Sequence, residues 1–193
     1  YISQVVRVAA GAGDNAAAAV GTGTVGEGGC NISLGTSGTV FISSDHFRVD
    51  ANNALHACAH ADGGWPLMGC MLSAASCNKW LCDDILKTTD YAAEQRDITP
   101  EKLGRNHVYF LPYLMGERSP INDTNARGTF IGMTMDTTRS DLVQAVLEGV
   151  AFAIRDSFEV ARSLGLDIPS TKTCGGGSKS PLWRTIFANV LGI

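Results

Sequence analysis

The stretch VVRVAAGAGDNAAAAVGTG, residues 5–23, joins an apolar run to a glycine-rich turn and a run of alanines. It contains Gly11-x-Gly13-x-x-Ala16, the outline of a dinucleotide-binding turn. Such a turn needs an acidic residue about 20 positions further on to bind the ribose, but residues 28–44 contain no Asp or Glu. Asp14 would also place a carboxylate against the pyrophosphate. The sequence therefore does not support an NAD site, and the turn needs another explanation.

Asp14 stands at the start of an alanine-rich segment, residues 14–20, that is predicted to be a short helix. A carboxylate at a helix N-terminus is stabilised by the helix dipole and by free backbone N–H groups. It is suited to accept a proton from an alcohol, as the base does in phosphoryl transfer to a hydroxyl. Asp14 is thus a candidate catalytic base. The alternative, that Asp14 only caps the helix, stays open at this point.

Composition excludes several classes of protein. The 193 residues are 45% hydrophobic with a net charge of −4, which predicts a globular chain and favours neither nucleic acid nor an anionic membrane as a partner. No apolar run reaches the roughly 18 residues of a membrane span, and the N-terminus has no signal-peptide pattern. The six cysteines form no CxxC pair, which predicts reduced thiols in a cytoplasmic protein. Both ends look cut, so we expect a fragment of a longer protein.

Two further glycine clusters accompany the opening turn. LGTSGT, residues 34–39, is typical of a tight hairpin whose N–H groups and hydroxyls can surround phosphate oxygens. CGGGSKSP, residues 174–181, lies between a predicted strand and a predicted helix, where glycines let a ligand approach the backbone. Each cluster alone also fits a plain turn. Three such loops in one chain favour a nucleotide pocket.

The remaining pattern predicts an α/β fold with a mixed sheet and flanking helices, because strand-like and helical segments alternate. Thr138-x-x-Asp141 is a capping box at the start of the strongest helix, and Ser180 with Pro181 is typical of a helix N-terminus. The predicted strands are two runs within residues 30–43, residues 54–61, residues 107–114 and a run before the three glycines; the predicted helices are residues 14–20, residues 73–86 with Ser73 as cap, residues 139–164 and the segment after Pro181.

Other features have simpler interpretations. His56, Cys58 and His60 alternate along a predicted strand and would form a metal trio only with a fourth ligand that the spacing does not supply, so no metal site is assigned. Trp65, Trp80 and Trp183 are expected in the core or in a pocket wall; Trp80 lies on a helix that could border a nucleotide.

The order of these motifs resembles the C-terminal half of the FGGY family of carbohydrate kinases, most closely its xylulose kinases. The resemblance is carried by GAGDNAAAAVGTG, SLGTSGTVF, YLMGERSPINDTNARGTFIGM, DLVQAVLEGVAFAIRD and CGGGSKSPLWRTIFANVLG, which cover nearly the whole chain. Gly128-x-Phe130-x-Gly132-Met133, followed after seven residues by Asp141-Leu142-x-x-Ala145-Val146-Leu147-Glu148, fits the family's second signature at every position.

The resemblance implies an actin-like (ribonuclease-H-like) ATPase domain that binds ATP with Mg²⁺. It implies that Asp14 is the catalytic base and that Asn15, beside it, faces the sugar. It implies nucleotide contacts from a set of small and polar residues: Gly38, Thr39, Ala75, Lys79, Gly176, Gly177 and Ser180. The family often has glycine near position 75 and, in glycerol kinases, a carboxamide near 180, so the chain departs from the family's pattern at these two contacts. Glu117 and Arg118 of the similar GERSP element could order the cleft or hold their loop as an internal ion pair, and the structural role is favoured.

The same resemblance implies a missing partner. Residues 1–193 correspond to the C-terminal nucleotide-binding domain, and the N-terminal domain, which supplies most sugar contacts and an aspartate for Mg²⁺, is absent. The expected reaction of the parent protein is transfer of the ATP γ-phosphate to a ketopentose hydroxyl, D-xylulose giving D-xylulose 5-phosphate, with the fragment itself inactive. Another sugar or polyol kinase of the family (ribulose, gluconate or glycerol) and a nucleotide-binding module without catalysis are the alternatives. A homodimer is left open.

Overall fold

A computed structural model of the chain describes residues 11–193; the apolar run before Gly11 lies outside the described residues. The helices are α1 (Asp14–Gly21), α2 (Ala75–Lys79), α3 (Tyr91–Gln95), α4 (Arg139–Ser163) and α5 (Pro181–Leu191). The strands are β1 (Cys30–Leu34), β2 (Gly38–Ile42), β3 (His56–Ala57), β4 (Leu67–Met71), β5 (Tyr109–Leu111), β6 (Thr129–Ile131) and β7 (Lys172–Cys174).

Within residues 11–193, the main sheet has five strands in the order β3-β4-β2-β1-β7. Neighbouring strands are antiparallel except for β1 and β7, which are parallel, so the predicted mixed sheet is confirmed. The predicted hairpin is β1–β2, in which Leu34 pairs with Gly38 around the turn. A separate two-stranded ribbon is formed by β5 and β6.

Helix α4 is the centre of the hydrophobic core. It begins, as predicted, at a capping box: the Thr138 hydroxyl accepts from the Asp141 N–H, and the Asp141 carboxylate accepts from the Thr138 N–H at 2.8 Å. Its buried side chains pack with those of the main sheet and of α5 in one cluster. The indole of Trp183 in α5 is fully buried and donates from Nε1 to the Leu147 carbonyl of α4 at 2.9 Å. These contacts fix the segment that precedes α5 relative to the sheet.

The helix predicted over residues 73–86 is present, but its N-cap and its winding differ from expectation. Its N-cap is Ala74, and the Ser73 hydroxyl is buried without a hydrogen-bond partner among the described residues. The Ala74 and Ala75 N–H groups instead donate to the Thr36 and Gly35 carbonyls of the hairpin, both at 2.9 Å. Backbone acceptors from another element therefore replace the predicted side-chain cap. After Lys79 the chain continues as a wider helical turn, Trp80–Ile85.

Two predicted strands are shorter than expected. In residues 54–61 only β3 is regular, because its partner segment reaches Pro66, which accepts from the Cys58 N–H but has no N–H to return. In residues 107–114 the strand ends at Leu111, before Pro112. Strand β4 was not predicted, although it pairs with both β2 and β3.

The sequence-based expectations about cysteines agree with the structure. All six cysteines lie within the described residues, and each is a free thiol.

Between residues 11 and 193 no helix is both long enough and apolar enough to cross a membrane.

Candidate functional site

A cleft of about 790 Å³ opens beside the β1–β2 hairpin. Ligand pockets for small molecules are typically 300–1,000 Å³, so its size fits a nucleotide. Its walls come from the hairpin, α2, α3 and the segment that leads into α5; they include Gly35, Thr36, Ala75, Ser76, Lys79, Asp90, Tyr91, Gln95, Gly176, Gly177, Lys179, Ser180, Pro181 and Trp183. Five of the seven predicted nucleotide contacts thus lie around one cavity.

The hairpin wall is held in place by α2. Besides the two backbone bonds from Ala74 and Ala75, the Ser76 hydroxyl donates to the Thr36 carbonyl at 2.7 Å. Thr36 and Ser37, at the tip, remain exposed. The tip therefore presents Thr36 beside the cavity on a backbone that α2 holds in place.

Gly38 and Thr39, the predicted phosphate contacts of the hairpin, do not line this cleft. A Cβ on Gly38 would stand 2.7 Å from Met71 Cγ and 3.0 Å from Ala74 Cβ, so close packing against β4 and α2 explains this glycine. The neighbouring Thr36 lines the cleft instead. Contact of Gly38 and Thr39 with a nucleotide stays a prediction.

The wall formed by α2 and α3 carries one cation with a local counter-ion. The Lys79 ammonium pairs with Asp83 one turn later, and Asp83 also accepts from the Tyr91 hydroxyl at 2.8 Å. The hydrogen bond that Lys79 donates to Asp83, together with the charge of Asp83, raises the pKa of Lys79, and the same hydrogen bond lowers the pKa of Asp83. Lys79 remains largely exposed, so its ammonium is accessible to an anionic ligand.

The three glycines after β7 have three different surroundings. Gly175 has a φ of +86°, and a Cβ there would lie 2.6 Å from the Leu34 carbonyl oxygen. A Cβ on Gly177 would lie 2.9 Å from both Leu34 Cβ and Trp183 Cζ3. Gly176 has an ordinary helical backbone and open space around the position of a Cβ. The first and third glycines thus bring the turn against β1, and the second leaves room on the cleft side.

Ser180 lines the cleft and, as predicted, caps α5. Its hydroxyl accepts from the Trp183 N–H at 3.1 Å and donates to Gln95 Oε1 at 2.6 Å. Gln95, Tyr91 and Asp90 were not singled out from the sequence. The sequence did contain a signal for the start of α3, because Asp90, a residue type favoured at N-caps, precedes YAAEQ. In the structure Asp90 caps α3 by accepting from the Ala93 N–H at 3.0 Å.

Asp14 and Asn15 lie at the start of α1, next to β2, the second strand of the hairpin. Asp14 is exposed, and its carboxylate accepts only from the adjacent Asn15 N–H, at 2.9 Å, among the described residues. The N-cap of α1 is Gly13, so Asp14 is not the helix cap that was considered as its alternative role. Asn15 Oδ1 accepts from the Thr39 hydroxyl at 3.1 Å. One hydrogen bond therefore connects the predicted catalytic pair to β2.

Glu117 and Arg118 do not form the expected ion pair. Glu117 is 2% exposed, and its Oε1 accepts from the Leu72 N–H at 3.0 Å and from the Arg118 N–H at 2.7 Å. Its Oε2 has no partner among the described residues. Burial raises the pKa of Glu117. The carboxylate holds the loop through backbone amides rather than through the guanidinium.

Of the three residues considered for a metal, His60 has a structural environment. His60 Nε2 is 2.9 Å from the Thr24 carbonyl oxygen, and its ring packs edge-on against Phe41. Within residues 11–193 no group of three or more His, Cys, Asp and Glu side chains is arranged to hold a metal ion. Trp80 stacks on Phe110 and does not line the cleft, whereas Trp183 does.

Comparisons with known proteins identify the fold and the family. Residues 30–193 match the model of the FGGY family of carbohydrate kinases, C-terminal domain. The chain is 41% identical to a xylulose kinase of Escherichia coli (strain K12) and 31% identical to a glycerol kinase of Enterococcus faecalis (strain ATCC 700802 / V583). These matches cover 97% and 99% of this chain and 39% of each relative.

A solved structure gives the same result. The crystal structure of a "xyloylose kinase" from Brucella ovis superposes with a TM-score of 0.88 and 45% identity, covering 95% of this chain and 38% of that one. The chain thus spans well under half the length of the proteins that it matches. The fold is the actin-like ATPase fold of these kinases. The chain belongs to the FGGY family of carbohydrate kinases, and its residues 30–193 match the family's C-terminal domain.

Proposed function

We propose that this chain is the nucleotide-binding part of an ATP-dependent sugar kinase that phosphorylates a ketopentose, converting D-xylulose to D-xylulose 5-phosphate. The observation that carries the proposal is the cleft itself, in which the hairpin tip, Lys79 and the Gly176–Gly177 turn surround one cavity. The identity to xylulose kinases, 41% for the one from Escherichia coli, supports the choice of sugar. Sugar and ATP are then the ligands, and an N-terminal domain is the partner that closes the cleft.

In this mechanism Asp14 accepts the proton of the attacking sugar hydroxyl. The sugar oxygen forms a bond to the γ-phosphorus as the bond from that phosphorus to the β–γ bridging oxygen breaks, and ADP leaves. Asn15, fixed by its hydrogen bond from Thr39, orients the sugar beside the carboxylate. Lys79 and the amides and hydroxyls around the cleft hold the phosphates.

Mg²⁺ is the metal that accompanies ATP in this proposal, and when bound it would offset the charge of the phosphates. Mg²⁺ is usually held by one or two carboxylates together with substrate phosphates rather than by a cage of protein ligands. The absence of a three-ligand cluster in residues 11–193 is compatible with that arrangement. In this chain, the carboxylate that lies in the catalytic turn is that of Asp14, which is exposed at the start of α1.

The test of the mechanism is Asp14→Ala in the full-length protein. We expect ATP binding to remain and turnover to fall by orders of magnitude, because positioning and proton acceptance are lost together. Asp136→Ala, which removes another exposed carboxylate, is the matched control and should leave turnover unchanged. Turnover of Asp14→Ala close to that of the control would refute the assignment.

Two other functions have specific support. The 31% identity to a glycerol kinase favours a different sugar or polyol as acceptor. Rates of phosphorylation with xylulose, ribulose, glycerol and gluconate separate these acceptors. The chain covers only 39% of the length of the Escherichia coli xylulose kinase. This partial coverage favours, for the chain by itself, a nucleotide-binding module without catalysis. Binding of ADP without binding of xylulose, measured by calorimetry, supports that view.

A further inference from the structure

Gln95, at the end of α3, is held in one orientation by α5. The Ser180 hydroxyl accepts the Trp183 N–H and gives its single hydrogen to Gln95 Oε1, at 3.1 and 2.6 Å. A rotation of the amide by 180° would leave that hydroxyl hydrogen without its acceptor. The carbonyl end of the Gln95 amide is therefore the end that faces Ser180.

This arrangement leaves hydrogen-bonding capacity on the amide of Gln95. Nε2 carries two hydrogens and has no hydrogen-bond acceptor among the described residues, and Oε1 keeps a second lone pair. Gln95 is half-buried and lines the cleft. An acceptor and a donor are thus presented side by side at this part of the cavity wall.

The neighbours of Gln95 favour a base over phosphates at this end. The side chains of Tyr91 and Pro181 line the cleft here, and the carboxylate of Asp90 would repel a phosphate. The segment from Gly176 to Pro181 connects the two ends, since Gly177 packs on Leu34 next to the hairpin and Ser180 bonds to Gln95. A nucleotide with its phosphates at the hairpin would extend its base toward Gln95.

We propose that Gln95, oriented by Ser180, makes the cleft selective for 6-aminopurine nucleotides; this inference rests on the proposed nucleotide site. Oε1 accepts from the exocyclic 6-amino group, and Nε2 donates to the adjacent ring nitrogen, the pairing that glutamine makes with adenine. Guanine and hypoxanthine carry a carbonyl oxygen at position 6, which would face Oε1 as a second acceptor. A site built to hydrogen-bond one group rejects an analogue that lacks it.

The test is calorimetric titration of the full-length protein with ADP, GDP and IDP. We expect ADP to bind at least about tenfold more tightly than GDP or IDP. In Gln95→Leu the three dissociation constants should come within about threefold of one another, and in Ser180→Ala, which frees the amide to rotate, the preference should shrink while ADP still binds. Arg96→Gln, at the next position and outside the cleft wall, should keep the full preference.

The outcomes separate this inference from the function on which it rests. Binding of all three nucleotides with equal affinity by the unmodified chain overturns the role of Gln95 and leaves the nucleotide site intact. Full preference for ADP in Gln95→Leu likewise overturns the role of Gln95 and leaves the nucleotide site intact. Failure of the unmodified chain to bind any of them overturns the nucleotide site, and the inference with it. The comparison of ADP with IDP needs no variant, so a poorly folded variant does not prevent the test.

Discussion

The three consecutive glycines after β7 show how one residue type serves different purposes at adjacent positions. Gly175 is required by its positive φ, and Gly177 by the approach of Leu34 and Trp183. Gly176 meets neither constraint, because its backbone is helical and the place of its Cβ is empty. The absence of a side chain at Gly176 is therefore useful to the cleft rather than to the fold.

Replacement of these glycines should separate binding from stability. We expect Gly176→Leu to fold normally and to lower ADP affinity at least about tenfold, because the new side chain occupies the cleft. Gly177→Ala should instead lower the free energy of unfolding by about 1–3 kcal/mol, since its methyl group would overlap Leu34 and Trp183. Urea denaturation and ADP titration of both variants measure the two effects. A large loss of stability in Gly176→Leu would contradict this division of roles.

Helix α4 depends on a local signal at its start and on long-range packing over the rest of its length. Thr138 and Asp141 satisfy each other's free backbone donors. The buried residues that follow, from Val143 onward, pack with the sheet and with α5 in one cluster. The first feature is readable from four residues of sequence, whereas the second required the positions of the strands.

Removal of the cap should therefore have a limited and measurable cost. We expect Thr138→Ala to lower the free energy of unfolding by about 1 kcal/mol, the usual cost of losing such a side chain. Thr138→Ser keeps the hydroxyl and should lie within a few tenths of a kcal/mol of the unmodified chain. Chemical denaturation of the three proteins gives the comparison. Equal losses for Ala and Ser would show that the methyl group, not the hydroxyl, stabilises the helix start.

At the scale of the whole molecule, the loop between β5 and β6 is attached to the end of the main sheet. Ser119 donates its N–H to the Cys70 carbonyl at 3.0 Å, and Glu117 accepts from Leu72. Leu72 lies between β4 and the Ala74–Ala75 amides that hold the hairpin tip. A buried carboxylate thus supports the segment that positions one wall of the cleft.

The raised pKa of Glu117 predicts a pH dependence of stability. Burial favours the protonated form in the folded chain, so the stability associated with Glu117 is present below its unfolded pKa and is lost as pH rises through the folded value. The stability of Glu117→Gln relative to the unmodified chain should therefore increase as the pH rises from about 4 through the raised pKa of the folded state. Thermal or urea unfolding between about pH 4 and pH 8 measures it.

Glu159 supplies a control of opposite sign for this pH series. Its pKa is lowered first by the hydrogen bond from Arg155 and then by that from Arg162, so its contribution is present above the unfolded pKa and is lost as pH falls. The relative stability of Glu159→Gln should thus decline slightly as pH rises, and only slightly because the pair is exposed. Parallel pH profiles for Glu117→Gln and the unmodified chain would contradict the role given to burial.

The sequence alone determined the features that depend on neighbours in the chain. The capping box at Thr138, the cap at Ser180, the hairpin between β1 and β2 and the α/β class follow from hydrogen bonds and periodicities that span a few residues. Most of the predicted nucleotide residues also lie around one cleft, since glycine-rich turns and helix starts have local signatures.

Only the tertiary structure decided which groups meet across the chain. Backbone carbonyls of the hairpin replace the Ser73 hydroxyl as the cap of α2, and the backbone amides of Leu72 and Arg118 replace the Arg118 guanidinium as partners of Glu117. The Ser180 hydroxyl bonds to Gln95, 85 positions earlier in the chain. A sequence pattern states what hydrogen-bonding capacity a residue has. Which partner uses it is set by the packing of the sheet against α4 and α5, because that packing fixes the distances between segments remote in sequence.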